Sequence, residues 1–381
     1  MNDGLHDLKW NAIAYAIVAG VSVIALVVMW FLVPALSERW LPIQRLRPGS
    51  WTGQEVFISI CATFGFPLLI VQGLIAVGFF LPLIGPSPDL ERMTPELREY
   101  VQRCAVISSP LSLTVILAFL FYLLYIRIGD RPHQYGLTWA RWPNNVALGL
   151  AVFVPVTPIV LGIFALLTFL LPSTIHQMVA QGRHDPPFWE WTLMGFQATI
   201  AAPILEEVLV RGILLGWLRR ASLVGHVVLV ASSVFLVGHD VVPFNLDSGR
   251  FEVNYEKVLP SFFAVTLAFG YAYWMHKLKR DFDLDEMETQ DWMLEPSPEP
   301  SERDEARQYK WSHANSYLAI YGSAMWFAVI HPWPAPVPLF LFGLVLGWIA
   351  YRTQSLVGPI TLHVALNLLS FIALYGSVAT R

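Results

Sequence analysis

The sequence predicts an all-α, polytopic transmembrane helical bundle of about eight to ten helices. Three observations predict it. The 381 residues are 55% hydrophobic and only 14% charged, whereas soluble domains carry roughly a quarter charged residues. Long apolar runs recur along the chain, many near the roughly 20 residues that a spanning helix needs. Basic residues gather in alternate links between those runs, as the bias of Lys and Arg toward cytoplasmic loops requires.

The runs fall at about 12–35, 56–85, 106–126, 145–172, 190–217, 223–238, 258–275, 315–331, 338–351 and 356–376. The opening MNDGLHDLKW has an acidic start, and no small-residue cleavage site follows the first run, so that run reads as a retained helix rather than a signal peptide. Arg39, Arg45 and Arg47 follow the first run, Arg127, Arg131 and Arg141 the third, and Arg219 and Arg220 the fifth. These alternate correctly with the N-terminus outside. With a spanning helix at 258–275, Lys277, Lys279, Arg280 and Arg352 fall inside as well. Residues 281–310 are acidic, rich in Pro and Ser and poor in periodic apolar positions, the pattern of a solvated linker, with a docking loop as the alternative.

The partner that composition implies is the lipid bilayer. A net charge of −4 gives no case for nucleic acid. Cys61 and Cys104 are too few and too far apart to form a metal cluster, and nothing supports a disulfide between them.

Against this apolar background three polar motifs stand out. LEEVLVRG, residues 205–212, places two carboxylates and a guanidinium within an apolar run. A charge at bilayer depth costs several kcal/mol, so such groups read as functional and their partners need naming. Glu207 and Arg211 are spaced i, i+4 and pair on one helical face. Glu206 projects about 100° away on an ideal helix and takes the role of base. The alternative is that all three meet lipid headgroups at a cytoplasmic helix end, near Arg219 and Arg220.

HVALN places His363 and Asn367 at i, i+4, one face offering imidazole and amide donors that suit a developing oxyanion. A packed histidine is the plain alternative. MWFAVIH ends at His331, and the PWPAPVP that follows must end the helix. SSVFLVGHD repeats the pattern Phe-x-x-x-His at His239.

EEVLVRG, FAVIH and HVALN have the forms Glu-Glu-x-x-x-Arg, Phe-x-x-x-His and His-x-x-x-Asn, and FGLVLGWIAYRTQSLVGPIT separates the last two. In this order, on apolar segments, they resemble the CAAX-protease and bacteriocin-processing family of intramembrane proteases, which includes the type II CAAX prenyl endopeptidases. The resemblance covers roughly residues 189–370. It implies residues 1–188 as N-terminal transmembrane helices and 189–376 as the protease-like core, with an insertion at about 240–322 if His331 is the motif histidine.

It also implies a bundle enclosing an intramembrane polar cavity, open toward the cytoplasm, in which water is activated to cut a peptide bond. Carried over residue by residue, Glu206 is the general base and Glu207 with Arg211 its supporting pair. His331 orients the water, with His239 as the alternative, and His363 with Asn367 stabilises the oxyanion. A glutamate mechanism without a cofactor is favoured; a divalent metal such as zinc, held by Glu206, His331 and His363, is the alternative. The implied substrate is a membrane peptide or protein, prenylated in the CAAX branch. A non-catalytic peptide-binding or immunity protein and an ion-coupled transporter are the competing readings, the latter calling for inverted repeats with broken helices.

Overall fold

The computed structural model describes residues 49–85, 95–170, 187–238, 244–245, 250–251, 255–282 and 302–379. The run at 12–35, Arg39, Arg45 and Arg47 of the topology argument, His239, and 283–301 of the acidic linker lie outside the described residues. The helices are α1 (Gly53–Ala76), α2 (Pro95–Phe121), α3 (Trp142–Leu170), α4 (Phe188–Phe196), α5 (Ala202–Glu206), α6 (Leu215–Leu218), α7 (Leu223–Gly238), α8 (Tyr255–Phe282), α9 (Glu302–Val329), α10 (Pro336–Thr353) and α11 (Val357–Ala379). A two-residue antiparallel pair, Phe244–Asn245 with Arg250–Phe251, accounts for the strands among the described residues.

Among the described residues six stretches are long and apolar enough to cross a membrane: Gly53–Ala76, Glu99–Arg127, Trp142–Thr168, Val258–Arg280, Pro336–Thr353 and Val357–Gly376. The protein is thus a multi-pass integral membrane protein built as a helical bundle. The run at 258–275 lies within α8.

Local chemistry sets the helix ends. Thr52 and Glu55 form a capping box at the start of α1: the Thr52 amide donates to Glu55 Oε2 at 2.7 Å, and the Gln54 amide donates to Thr52 Oγ1 at 3.2 Å. The apolar run 56–85 does not form one helix. It breaks after Ala76 at Gly78, whose φ of +70° suits glycine, and resumes only as the short turn Leu81–Ile84.

The helix α9 starts at Glu302, inside the stretch 281–310 that the sequence assigned to a linker. The reason lies in ERDEARQYK: it is dense in strong helix formers, and its acidic residues fall at the N-terminal end where the helix dipole favours them. At its other end α9 stops at Val329, ahead of Pro332 and Pro334, as the proline break demands.

The described residues form two compact units, one from 44–157, 174–213 and 353–381, the other from 158–173 and 214–352. In the first, α1 packs on α2 around Val71, Phe80, Tyr100 and Cys104. Further along α2, Val106 meets Trp191 and Met194 of α4, with Phe371 of α11 against them. Arg103 of α2 donates through Nε to Glu190 Oε2 at 3.1 Å, and Glu190 in the first turn of α4 is only 3% exposed. Cys61 and Cys104 are free thiols.

In the second unit α7, α8 and α9 pack together. The buried His226 imidazole of α7 is hydrogen-bonded to the Tyr271 hydroxyl of α8. Tyr321 of α9 donates to the Leu267 carbonyl at 3.1 Å. The closeness of α9 is set by Gly322, where an added Cβ would stand 2.8 Å from Leu229 and 2.9 Å from Tyr271.

Candidate active site

The LEEVLVRG segment lies on a helical stretch that is α-helical at α4, π-helical over Gln197–Ala201, α-helical at α5, π-helical over Glu207–Leu214, and α-helical again at α6. A π turn bonds each carbonyl to the amide five residues on, and such turns occur frequently at functional sites. Apolar periodicity does not reveal them, because one extra residue per turn barely disturbs a segment that is apolar almost throughout.

The slip has a local consequence. The residue five on from Ala198 is Pro203, which has no N–H to give. Asn367 of α11 supplies a donor instead, its Nδ2 lying 2.9 Å from the Ala198 carbonyl. At the other end of the stretch the Ile213 carbonyl accepts from the Trp51 indole Nε1 at 2.9 Å. Trp51 is buried and meets the Tyr135 ring edge-on at 6.3 Å. Next to it Gly212 lets the segment lie against the turn Pro132–Tyr135: an added Cβ would stand 2.8 Å from the Tyr135 carbonyl oxygen.

Between these anchors stand the charged residues. Glu207 is wholly buried and Arg211 is 3% exposed. Arg211 Nη1 donates to Glu207 Oε1 at 3.0 Å, the i, i+4 pair expected from the sequence. The same Oε1 also accepts from His363 Nδ1 of α11 at 2.9 Å. A carboxylate oxygen accepts only, so Nδ1 carries the hydrogen. The outer nitrogen of that ring, Nε2, faces Glu206 Oε2 at 3.6 Å, a separation beyond a direct hydrogen bond.

Arg211, Glu207 and His363 therefore form a hydrogen-bonded chain within one unit, with Glu206 facing its end. Its inner end is sealed, and its outer end opens at Glu206, whose side chain is 26% exposed. Glu207 Oε2 is buried without a hydrogen-bond partner among the described residues. Such an acceptor costs free energy unless a small polar molecule meets it.

The sequence-predicted residues Glu206, Glu207, Arg211, His363 and Asn367 are thus gathered in the first unit. His331 belongs to the second. There it follows the end of α9, with Nδ1 2.7 Å from the Phe327 carbonyl and its ring 4.9 Å from the Phe327 ring centre. This gives Phe-x-x-x-His a physical meaning: one residue, a turn earlier, packs the imidazole and fixes its tautomer. Because a carbonyl can only accept, Nδ1 holds the hydrogen and Nε2 the lone pair of the neutral ring.

Trp51 and Gly212 were not singled out from the sequence. Their signals were slight: a tryptophan beside a capping box, and a glycine closing the charged motif.

Residues 188–279 and 305–369 match the family model described as Type II CAAX prenyl endopeptidase Rce1-like. Over these residues the chain is similar to that family of membrane proteases. No curated protein and no solved structure matches the chain. The matched segments take in both Phe-x-x-x-His motifs and leave out 280–304, which covers most of the acidic stretch.

Among the described residues no three His, Cys, Asp or Glu side chains are gathered as they would be around an ion. Glu206 and His363 Nε2 face one another, but the other ring nitrogen of His363 is committed to Glu207. Of the three residues that would hold zinc, Glu206 and His363 lie in one unit and His331 in the other.

Proposed function

We propose that this protein is an intramembrane endopeptidase that hydrolyses a peptide bond with water activated by Glu206. The observation that carries the reading is the buried chain from Arg211 through Glu207 to His363, whose end faces the partly exposed carboxylate of Glu206. A general base must lie within reach of the proton it removes and be held in place. Glu207 holds His363 through Nδ1, and Arg211 holds Glu207.

In the proposed reaction a water beside Glu206 Oε2 and His363 Nε2 attacks the carbonyl carbon of the scissile bond. Its proton passes to Glu206, and the carbonyl oxygen becomes an oxyanion facing an amide donor, the kind of arrangement that lowers such barriers most. When the intermediate collapses, the C–N bond breaks and the departing amine takes the proton from Glu206. Asn367 keeps the π-helical segment seated through Ala198, and its amide has a second N–H to offer the oxyanion. His331 is proposed to orient the water on the strength of its motif, with Nε2 as the acceptor.

The family match favours a CAAX-type substrate, a membrane-held peptide end carrying a prenyl group. The distribution of basic residues favours an N-terminus outside and a site in the cytoplasmic half of the bilayer.

The test is cleavage of membrane peptides, farnesylated CAAX peptides among them, by purified wild type and Glu206→Gln. Wild type is expected to cut, and the variant to lose roughly 100- to 10,000-fold in rate, the usual contribution of a general base. Cleavage by Glu206→Gln at the wild-type rate would rule out the proposed mechanism.

A further inference from the structure

A second polar cluster lies where α10 ends. Arg352 is only 7% exposed, and its Nε is buried without a hydrogen-bond partner among the described residues. Its guanidinium carbon stands 5.9 Å from the Trp348 ring centre. In the same unit Arg219 stands 5.1 Å from the Tyr351 ring centre and donates through Nε to Ser316 Oγ at 3.2 Å. Tyr351 and Ser316 thus both lie against Arg219.

Two guanidinium groups thus lie over aromatic rings three residues apart on α10. A buried cation is costly unless an anion and hydrogen bonds meet it. Stacking on Trp348 recovers part of that cost. The C-terminal end of α10 contributes a partial charge of only about half an electron. The acceptor that Arg352 Nε lacks among the described residues can be a phosphate, whose full charge and several oxygens fit the planar guanidinium fork. Arg220, Lys279 and Arg280 of the same unit belong to the basic set expected at the inner membrane face, where phospholipid headgroups lie and where Trp and Tyr gather.

We propose that Arg352, with Arg219, Trp348 and Tyr351, forms a binding site for a phosphate group, supplied by the headgroup of an anionic phospholipid. The site does not rest on the protease reading. It anchors the end of α10 to the lipid surface, so bound lipid stabilises the fold.

The test uses the full-length protein purified in maltoside micelles, which carry no phosphate. Dioctanoyl phosphatidylglycerol, dioctanoylglycerol and inorganic phosphate are titrated separately, and melting temperature and adducts in native mass spectrometry are read for each. Phosphatidylglycerol is expected to raise the melting temperature and to appear as a bound adduct, and dioctanoylglycerol to do neither. Arg352→Gln should weaken binding about tenfold or more, and Arg352→Lys less. Phosphate alone acting as strongly as the lipid supports the anion site and assigns it to the free ion. Equal responses of wild type to phosphatidylglycerol and dioctanoylglycerol overturn the proposal whether or not the variants fold. An unchanged affinity in a folded Arg352→Gln variant overturns it too.

Discussion

His363 Nδ1 lies 2.9 Å from Glu207 Oε1, joining residues 156 apart in sequence. That one oxygen also receives Arg211 at 3.0 Å, so the inner carboxylate is spoken for by two donors. The adjacent Glu206 faces the outer edge of the same imidazole. Neighbouring glutamates therefore sit in different environments, and their substitutions should differ in kind.

Removing the Glu207 charge leaves Arg211 buried without its carboxylate. Breaking such a pair typically costs about 3–5 kcal/mol. Glu207→Ala and Arg211→Met should therefore lower thermal stability sharply along with activity, whereas Glu206→Gln should melt close to wild type. Thermal unfolding in detergent, followed by light scattering or intrinsic fluorescence, separates the cases. Equal melting temperatures for Glu206→Gln and Glu207→Ala would show that the two carboxylates are not divided in this way.

Two histidines occupy the Phe-x-x-x-His pattern. His331→Ala should abolish peptide cleavage and His239→Ala should leave it largely intact. Phe327→Ala removes the ring 4.9 Å from the imidazole and should reduce activity without changing which peptides are cut. Loss of activity in His239→Ala alone would transfer the role to that residue.

Gly212 has no room for a side chain. Alanine would bring a Cβ to 2.8 Å from the Tyr135 carbonyl oxygen, a backbone atom that cannot rotate away. Overpacking of this kind costs about 1–3 kcal/mol. Gly212→Ala should accordingly lower both melting temperature and cleavage rate. Wild-type stability in the variant would mean that the segment and the turn yield easily.

Metal dependence separates the two chemistries considered for this site. If catalysis is metal-free, prolonged chelation of the purified protein should leave cleavage unchanged, and added zinc should not raise it. Activity lost to chelator and restored by zinc would assign the metal mechanism instead.

Hydrophobicity in runs of spanning length was legible without a structure, because burial in lipid imposes it on every helix: 223–238 coincides with α7, and 356–376 lies within α11. The Glu207–Arg211 pair was legible for a different reason, since i, i+4 neighbours meet on any helix. Less legible was the start of α9 at Glu302, where polar helix formers carry no apolar period.

The sequence by itself thus determined where the helices run and which side chains are charged inside them, since both follow from local composition and spacing. Only the tertiary structure decided that His363 stands between the two glutamates, that Asn367 satisfies a carbonyl opposite Pro203, and that Trp51 and Gly212 fasten the π-helical segment. Those contacts join residues far apart in the chain. They depend on how helices rotate and approach one another, a property of packing that no local periodicity encodes.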